Sequence, residues 1–187
     1  MTPNSASYDF IVVGAGTAGC VIASRLSQSG TSRVLLLEAG SAQPLEAVAL
    51  PPAWPTLMQS SASWGDVTVT QTATGTATTG LARGRGLGGS SAINAMIFAR
   101  GHRSSYDAWT KSGAKGWGFD DLLPYFKRSE NAPGRDPALR GIGGPLTVGP
   151  ATPPHEVVAA CLEAAVQVGH RQARDISGGL EEGFGRI

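Results

Sequence analysis

Tyr8-Asp9-Phe10-Ile11-Val12-Val13-Gly14-Ala15-Gly16-Thr17-Ala18-Gly19 is the stretch that decides the fold. Its first six residues make a short apolar run rich in strand formers, the pattern of a strand buried in a parallel sheet. Three glycines follow at once. Beyond them Cys20, Val21, Ala23, Ser24 and Leu26 set small and apolar residues at helical spacing, toward a stop near Gly30. Residues 33–37, Arg-Val-Leu-Leu-Leu, form a second apolar run, closed by Glu38. A strand, a glycine turn, a helix and a second strand within about 30 residues make a βαβ unit. The expected fold class is α/β, Rossmann-like around the Gly-x-Gly-x-x-Gly turn.

The spacing of that turn carries chemistry. Gly14 permits the tight turn, Gly16 lets the backbone approach a pyrophosphate, and Gly19 lets helix pack on strand. The helix start then offers free N–H groups and the positive end of its dipole to phosphate. Glu38 ends the second strand, 19 residues past Gly19. A carboxylate there can accept hydrogen bonds from both hydroxyls of a ribose. Strand, helix and acid together predict a dinucleotide site; the plainer alternative is a structural turn beside a solvated Glu38. The motif alone does not choose between NAD and FAD.

Composition sets the outer bounds. The 187 residues suffice for one ordinary domain, and 41% hydrophobic content fits a globular chain. A formal net charge of +1 gives no electrostatic reason to bind nucleic acid or an anionic membrane. No apolar run approaches the roughly 20 residues that span a bilayer. Residues 1–8 are polar and lack the pattern of a signal peptide. With only Cys20 and Cys161, the expectation is a cytoplasmic protein with free thiols. Glycine is the outlier, at 26 residues, and so many call for turns or close backbone contact with a ligand.

Residues 44–58 are rich in proline and apolar side chains and predict an irregular segment on a core. Residues 60–82 are mostly Ser, Thr, Ala and Gly, with Val67 and Val69 alternating as in a weak hairpin. A second glycine cluster, residues 83–89, leads into 90–99, which reads as the start of a helix. Asp120 is placed to cap a short helix through Leu122, Leu123 and Phe126, with Pro124 near its first turn. Residues 131–154 read as loop. Val157, Val158, Cys161, Ala165 and Val168 form a helical stripe over 155–168, stopped by Gly169.

Residues 84–101, Gly-Arg-Gly-Leu-Gly-Gly-Ser-Ser-Ala-Ile-Asn-Ala-Met-Ile-Phe-Ala-Arg-Gly, resemble the signature of the glucose–methanol–choline (GMC) flavin oxidoreductases. Tyr106-Asp107-Ala108-Trp109, Gly116-Trp117, residues 123–130 and residues 175–185 are similar to the same family, in order. The resemblance implies a Rossmann-like FAD-binding domain, with residues 1–187 as its N-terminal part. It implies that Gly14, Gly16, Thr17, Ala18 and Gly19 line the pyrophosphate and that Glu38 holds the adenosine ribose. Trp64 is similar to an aromatic near the adenine; a loop tryptophan is the alternative. Gly86, Ser90, Asn94, Ala95, Met96 and Ile97 would lie along the flavin half. On residue chemistry alone, Ser90 and Ser91 suit a helix cap or a phosphate contact, and Asn94 suits a buried amide. Some relatives bind flavin covalently through a histidine of this signature. The comparable position here is Ile93, so the resemblance implies non-covalent FAD. Residues 66–82 depart from the family pattern, being poor in aromatic and charged residues.

The implied reaction is oxidation of a CH–OH group, choline or another alcohol, by flavin with a histidine base. In the family that base lies in a C-terminal region, which nothing in residues 1–187 resembles. The expectation is therefore FAD binding, no catalytic residue and no metal site in this chain, and no alcohol oxidation by it alone. A complementing C-terminal chain would complete it. His102, His155 and His170 are scattered without metal-ligand spacing. Arg83, Arg85, Arg100 and Arg103 gather near the second glycine cluster, where solvated charge is the default reading. A non-catalytic dinucleotide module, one half of a split enzyme, and an NAD-dependent Rossmann enzyme are the other readings.

Overall fold

The computed structural model describes residues 6–75 and 77–186, and the chain divides into two compact units, Met1–Met96 and Ile97–Ile187. Residues 1–5, which carry part of the signal-peptide reading, lie outside the described residues, as do Thr76 and Ile187.

In the first unit, β1 (Phe10–Val13) pairs in parallel with β2 (Val34–Leu37), Phe10 opposite Val34 and Val13 opposite Leu37. α1 (Thr17–Ser27) connects them and packs on both strands. The strands are shorter than the apolar runs, and Asp9 and Arg33 bind each other just before them. The Asp9 carboxylate accepts the Arg33 N–H at 2.7 Å. α1 ends at Ser27, before Gly30, whose φ of 67° turns the chain toward β2. The irregular segment is built of two 3₁₀ turns, Glu46–Ala49 and Pro51–Ala53, running into α2 (Trp54–Leu57) and burying Leu57. The expected hairpin is β3 (Asp66–Val67) against β4 (Gly80–Leu81), antiparallel. Arg83 and Asp66 clasp it at 2.6 Å. That pair is exposed and stabilises little.

Residues 90–99 correct the sequence reading. Only Gly89–Ala92 form a 3₁₀ turn, and no helix follows. The Asn94 side chain accepts the N–H of Met96 at 2.9 Å, and Met96 takes a left-handed φ of 58°. Side-chain capture of a backbone N–H competes with helix. Asn94 is exposed rather than buried, and its neighbour Ile93 is the buried residue.

In the second unit, α3 (Arg103–Lys111) packs on α4 (Phe119–Ser129). Tyr106 joins them, its ring 5.2 Å from Trp109, 5.4 Å from Phe126 and 6.1 Å from Phe119. Phe119 is fully buried. The start of α4 differs from expectation. Gly118 is the cap residue, its N–H bound to Asp121 at 3.1 Å, and Asp120 instead pairs with Arg103. Pro124 sits in the second turn of α4, not the first. β5 (Glu130–Asn131) pairs in parallel with β6 (Leu146–Thr147); α5 (Glu156–Gln167) is the predicted helix, but of its apolar stripe only Ala165 is buried and Val168 lies past the helix end.

The arginines have separate partners. Arg100 is buried with Arg140 around Glu130, which is fully buried, and Arg140 also pairs with Asp175 at 2.7 Å. Arg83 and Arg103 make surface pairs, and Arg85 stands over the Trp64 ring. Among the described residues no helix is long and apolar enough to cross a membrane, and no group of three or more His, Cys, Asp or Glu is placed to hold a metal.

Candidate functional site

The site is built where β1 gives way to α1. The N–H of Gly14 donates to the carbonyl of Leu37 at 2.7 Å, so the turn leaves the sheet directly beside the end of β2. Gly16 precedes the first helical residue, and no side chain caps α1 there. The first-turn amides, those of Thr17, Ala18 and Gly19, lack intrahelical partners by construction and carry the positive end of the helix dipole. Gly19 is dictated by packing. A Cβ on it would lie 1.9 Å from the carbonyl oxygen of Gly14, so any side chain would force helix and strand apart.

Glu38 is held against this turn. One carboxylate oxygen accepts the N–H of Ala15 at 2.7 Å and the other that of Gly40 at 2.8 Å. The Ala15 N–H, followed by that of Gly40, holds the carboxyl below the ordinary 4.5, and partial burial opposes them. A depressed value means that ionised Glu38 supports the folded turn. That support is complete above 4.5 and is lost as pH falls through the lower folded value. A carboxyl-resolved NMR titration of Glu38 should therefore give a midpoint below 4.5. A midpoint at or above it would mean the two N–H contacts do not persist in solution.

The second glycine segment lies on the first. The N–H of Gly88 donates to the carbonyl of Ala15 at 2.8 Å, and Gly88 bridges Gly16 in parallel. Gly89, at a φ of +55°, comes so close that an added Cβ would lie 2.8 Å from the Gly16 Cα. Only glycine permits this contact. Ser90 stabilises the loop by accepting the Gly84 N–H at 3.1 Å, and Ser91 donates back to the Gly88 carbonyl at 2.7 Å. Neither caps a longer helix.

These elements enclose an open groove of about 540 Å³, lined by Gly14, Gly16, Glu38, Trp64, Gly84 and Gly89 among others. Four of the residues singled out from sequence therefore meet there: Gly14, Gly16, Glu38 and Trp64. Thr17, Ala18 and Gly19 continue from it as the first turn of α1. Gly86, Ser90, Asn94, Ala95 and Met96 belong to the same unit without lining this groove, and Ile97 opens the second unit. Sequence reasoning missed Ala15 and Gly40 as the partners of Glu38. The position of Gly40, two residues after the acid, was the available signal.

The histidines are accounted for elsewhere. His102 and His155 cap α3 and α5, each accepting a backbone N–H through Nδ1 at 3.2 Å. His170 lies against Phe184, ring centroids 4.9 Å apart.

The chain matches the family model described as GMC oxidoreductase over residues 8–187. It is 40% identical over 181 residues to an oxygen-dependent choline dehydrogenase of Vibrio vulnificus, covering 95% of this chain and 32% of that protein. It is 37% identical over 179 residues to a protein of the same name from Rhizobium rhizogenes, with the same coverage. Among solved structures it resembles pyridoxine 4-oxidase from Mesorbium loti, with a TM-score of 0.86 and 38% identity, over 92% of this chain and 34% of that one. An FAD-dependent oxidoreductase from Chaetomium thermophilum gives a TM-score of 0.80 and 31% identity, over 92% and 32%. The chain thus spans about a third of the length of the curated relatives it matches. A family match over nearly all of its residues, joined to a glycine turn, an acid-ended second strand and a packed second glycine segment, makes this chain a member of the GMC oxidoreductase family.

Proposed function

We propose that this chain binds FAD, without a covalent link, as the N-terminal, nucleotide-holding part of an oxidoreductase acting on the CH–OH group of an alcohol. The observation that carries the reading is the groove on which the α1 start, Glu38, Trp64 and the second glycine segment converge. The residues present fit the group. An added Cβ at Gly16 would meet nothing within 4 Å, so backbone is bare where a pyrophosphate would lie. Thr17, Ala18 and Gly19 supply N–H donors and a positive dipole end to its charge. Each Glu38 oxygen already takes one backbone N–H and retains a lone pair for a ribose hydroxyl. Gly86, Ser90, Asn94, Ala95, Met96 and Ile97 are assigned to the flavin half by family likeness. Ile93 carries no nucleophile, which supports a non-covalent cofactor.

When bound, FAD supplies a hydride acceptor for the carbon of the alcohol. The base that takes the hydroxyl proton is assigned to sequence outside these 187 residues. Relatives are about three times as long, and His102 and His155 serve here as helix caps. The same remainder is proposed to cover β1 and β2. Their side chains at Ile11 and Val13 are 61% and 81% exposed, whereas parallel strands are ordinarily covered on both faces. Expressed alone, the chain should give no alcohol-dependent reduction of an artificial dye with added FAD. Turnover lost on mutating Gly16 would place a base within this chain, with His102 the first to examine.

An FAD titration tests the reading itself. Glu38→Ala removes charge-assisted hydrogen bonds contributing on the order of 1.5–3 kcal/mol each, so affinity should fall at least tenfold. Unchanged affinity would remove Glu38 from the site.

A further inference from the structure

We infer that Arg85 is a positioning residue for Trp64, holding its ring as the wall of the groove that faces the adenosine half of the cofactor. The inference rests on the FAD reading above and adds a residue to it.

Backbone pairing brings the two together. Ser63 bridges Gly84 in antiparallel fashion, the Trp64 N–H donates to the Arg83 carbonyl at 2.9 Å, and the Arg85 N–H donates to the Ala62 carbonyl at 2.7 Å. Trp64 therefore faces Arg83 directly, and Arg85 is its diagonal neighbour. Diagonal positions across an antiparallel pair lie about 7–8 Å apart, beyond small side chains but within reach of an arginine. Arg85 makes that reach, its guanidinium carbon 5.1 Å from the Trp64 ring centroid.

The ring needs such a hold. Trp64 lines the groove yet is 49% exposed, so packing fixes it only in part. The guanidinium is planar and always charged, and stacks on an indole face as lysine does less well. The neighbouring arginine is committed elsewhere: Arg83 is engaged by Asp66 at 2.6 Å. Arg85 thus restricts the indole to one orientation and puts a cation beside a groove meant for an anionic nucleotide.

The test is a titration of the full chain with FAD, with AMP as the adenosine half alone. Exposed cation–π contacts are worth about 0.5–1 kcal/mol, so Arg85→Ala should weaken FAD and AMP about two- to fivefold, by similar factors. Arg85→Lys should recover part of the loss. The effect should disappear in a Trp64→Ala background, because a positioning residue acts only through the group it positions. Tryptophan fluorescence should change on Arg85→Ala in the parent chain and not in Trp64→Phe. If Arg85→Ala matches the parent while Gly16→Val abolishes binding, the inference falls and the FAD reading stands. Losses that simply add to those of Trp64→Ala also overturn it, leaving Arg85 a plain charge contact. A parent chain that binds neither FAD nor AMP overturns both.

Discussion

Gly16→Val is expected to abolish FAD binding while leaving the far-UV circular dichroism unchanged. The structure separates those two effects. Gly16 has φ −69° and ψ −176°, a conformation any residue adopts, and an added Cβ finds nothing within 4 Å. The fold therefore tolerates a side chain. The space it would fill is the open groove beside the α1 start, where the backbone must come close to a pyrophosphate. Valine is β-branched and stiff, so it cannot swing clear. Two glycines nearby serve as controls of opposite character. Gly19→Val would drive a side chain into the Gly14 carbonyl, 1.9 Å from its Cβ, and should disrupt the unit itself. Gly89→Val should do the same against Gly16. Of these three glycines, only Gly16 is expected to lose FAD with the fold intact. A Gly16→Val protein that keeps its yellow colour would make the glycine turn a purely structural feature.

How much of this was legible in the sequence follows from how local each feature is. β1, the glycine turn, α1 and β2 are written in consecutive residues, each with its own period or glycine. Glu38 was legible as well, because spacing alone sets it at the end of β2. What it binds in the folded chain was not: Ala15 lies 23 residues away and shows only a small apolar side chain. Residues 90–99 misled for a local reason. Ser-Ser-Ala followed by apolar residues looks like a helix start. The Asn94 side chain and the left-handed Met96 instead turn the backbone out of helix, and such competition leaves no periodic trace. The contact of the two glycine segments joins Gly16 to Gly88 across a long intervening stretch. Glycine richness announced that backbones meet, but not which ones.

The charges around Glu130 were the least legible feature, and they carry the second large effect. Arg100, Arg140 and Asp175 are 30, 10 and 35 residues from their partners, separations that leave no local pattern, and Arg100 reads by default as a solvated charge. Folded together, the Arg100 and Arg140 side chains are 3% and 4% exposed and that of Glu130 not at all. Glu130 accepts from Arg100, from Nε of Arg140 at 2.9 Å and from the N–H of Gly141 at 2.8 Å. It thereby joins the end of α4 to the loop before β6. Arg100 also donates to the Leu139 carbonyl at 2.6 Å and lies over the Phe126 ring, while its Nε finds no hydrogen-bond partner. Burial pushes the Arg100 guanidinium down, and Glu130 opposes that shift. Glu130→Ala would leave two guanidinium groups buried with one carboxylate, Asp175, and that one reaches only Arg140. Breaking a buried pair in this way costs about 3–5 kcal/mol, a large share of the roughly 5–15 kcal/mol that holds a domain folded. Urea unfolding of the full chain, followed by tryptophan fluorescence, should show the midpoint fall sharply. Glu130→Gln keeps the shape and one acceptor, so it should fall between Glu130→Ala and the parent. The deficit should also respond little to added salt, because buried charges are poorly screened. A Glu130→Ala chain within about 1 kcal/mol of the parent, the range of an exposed pair, would mean that water reaches this cluster in solution.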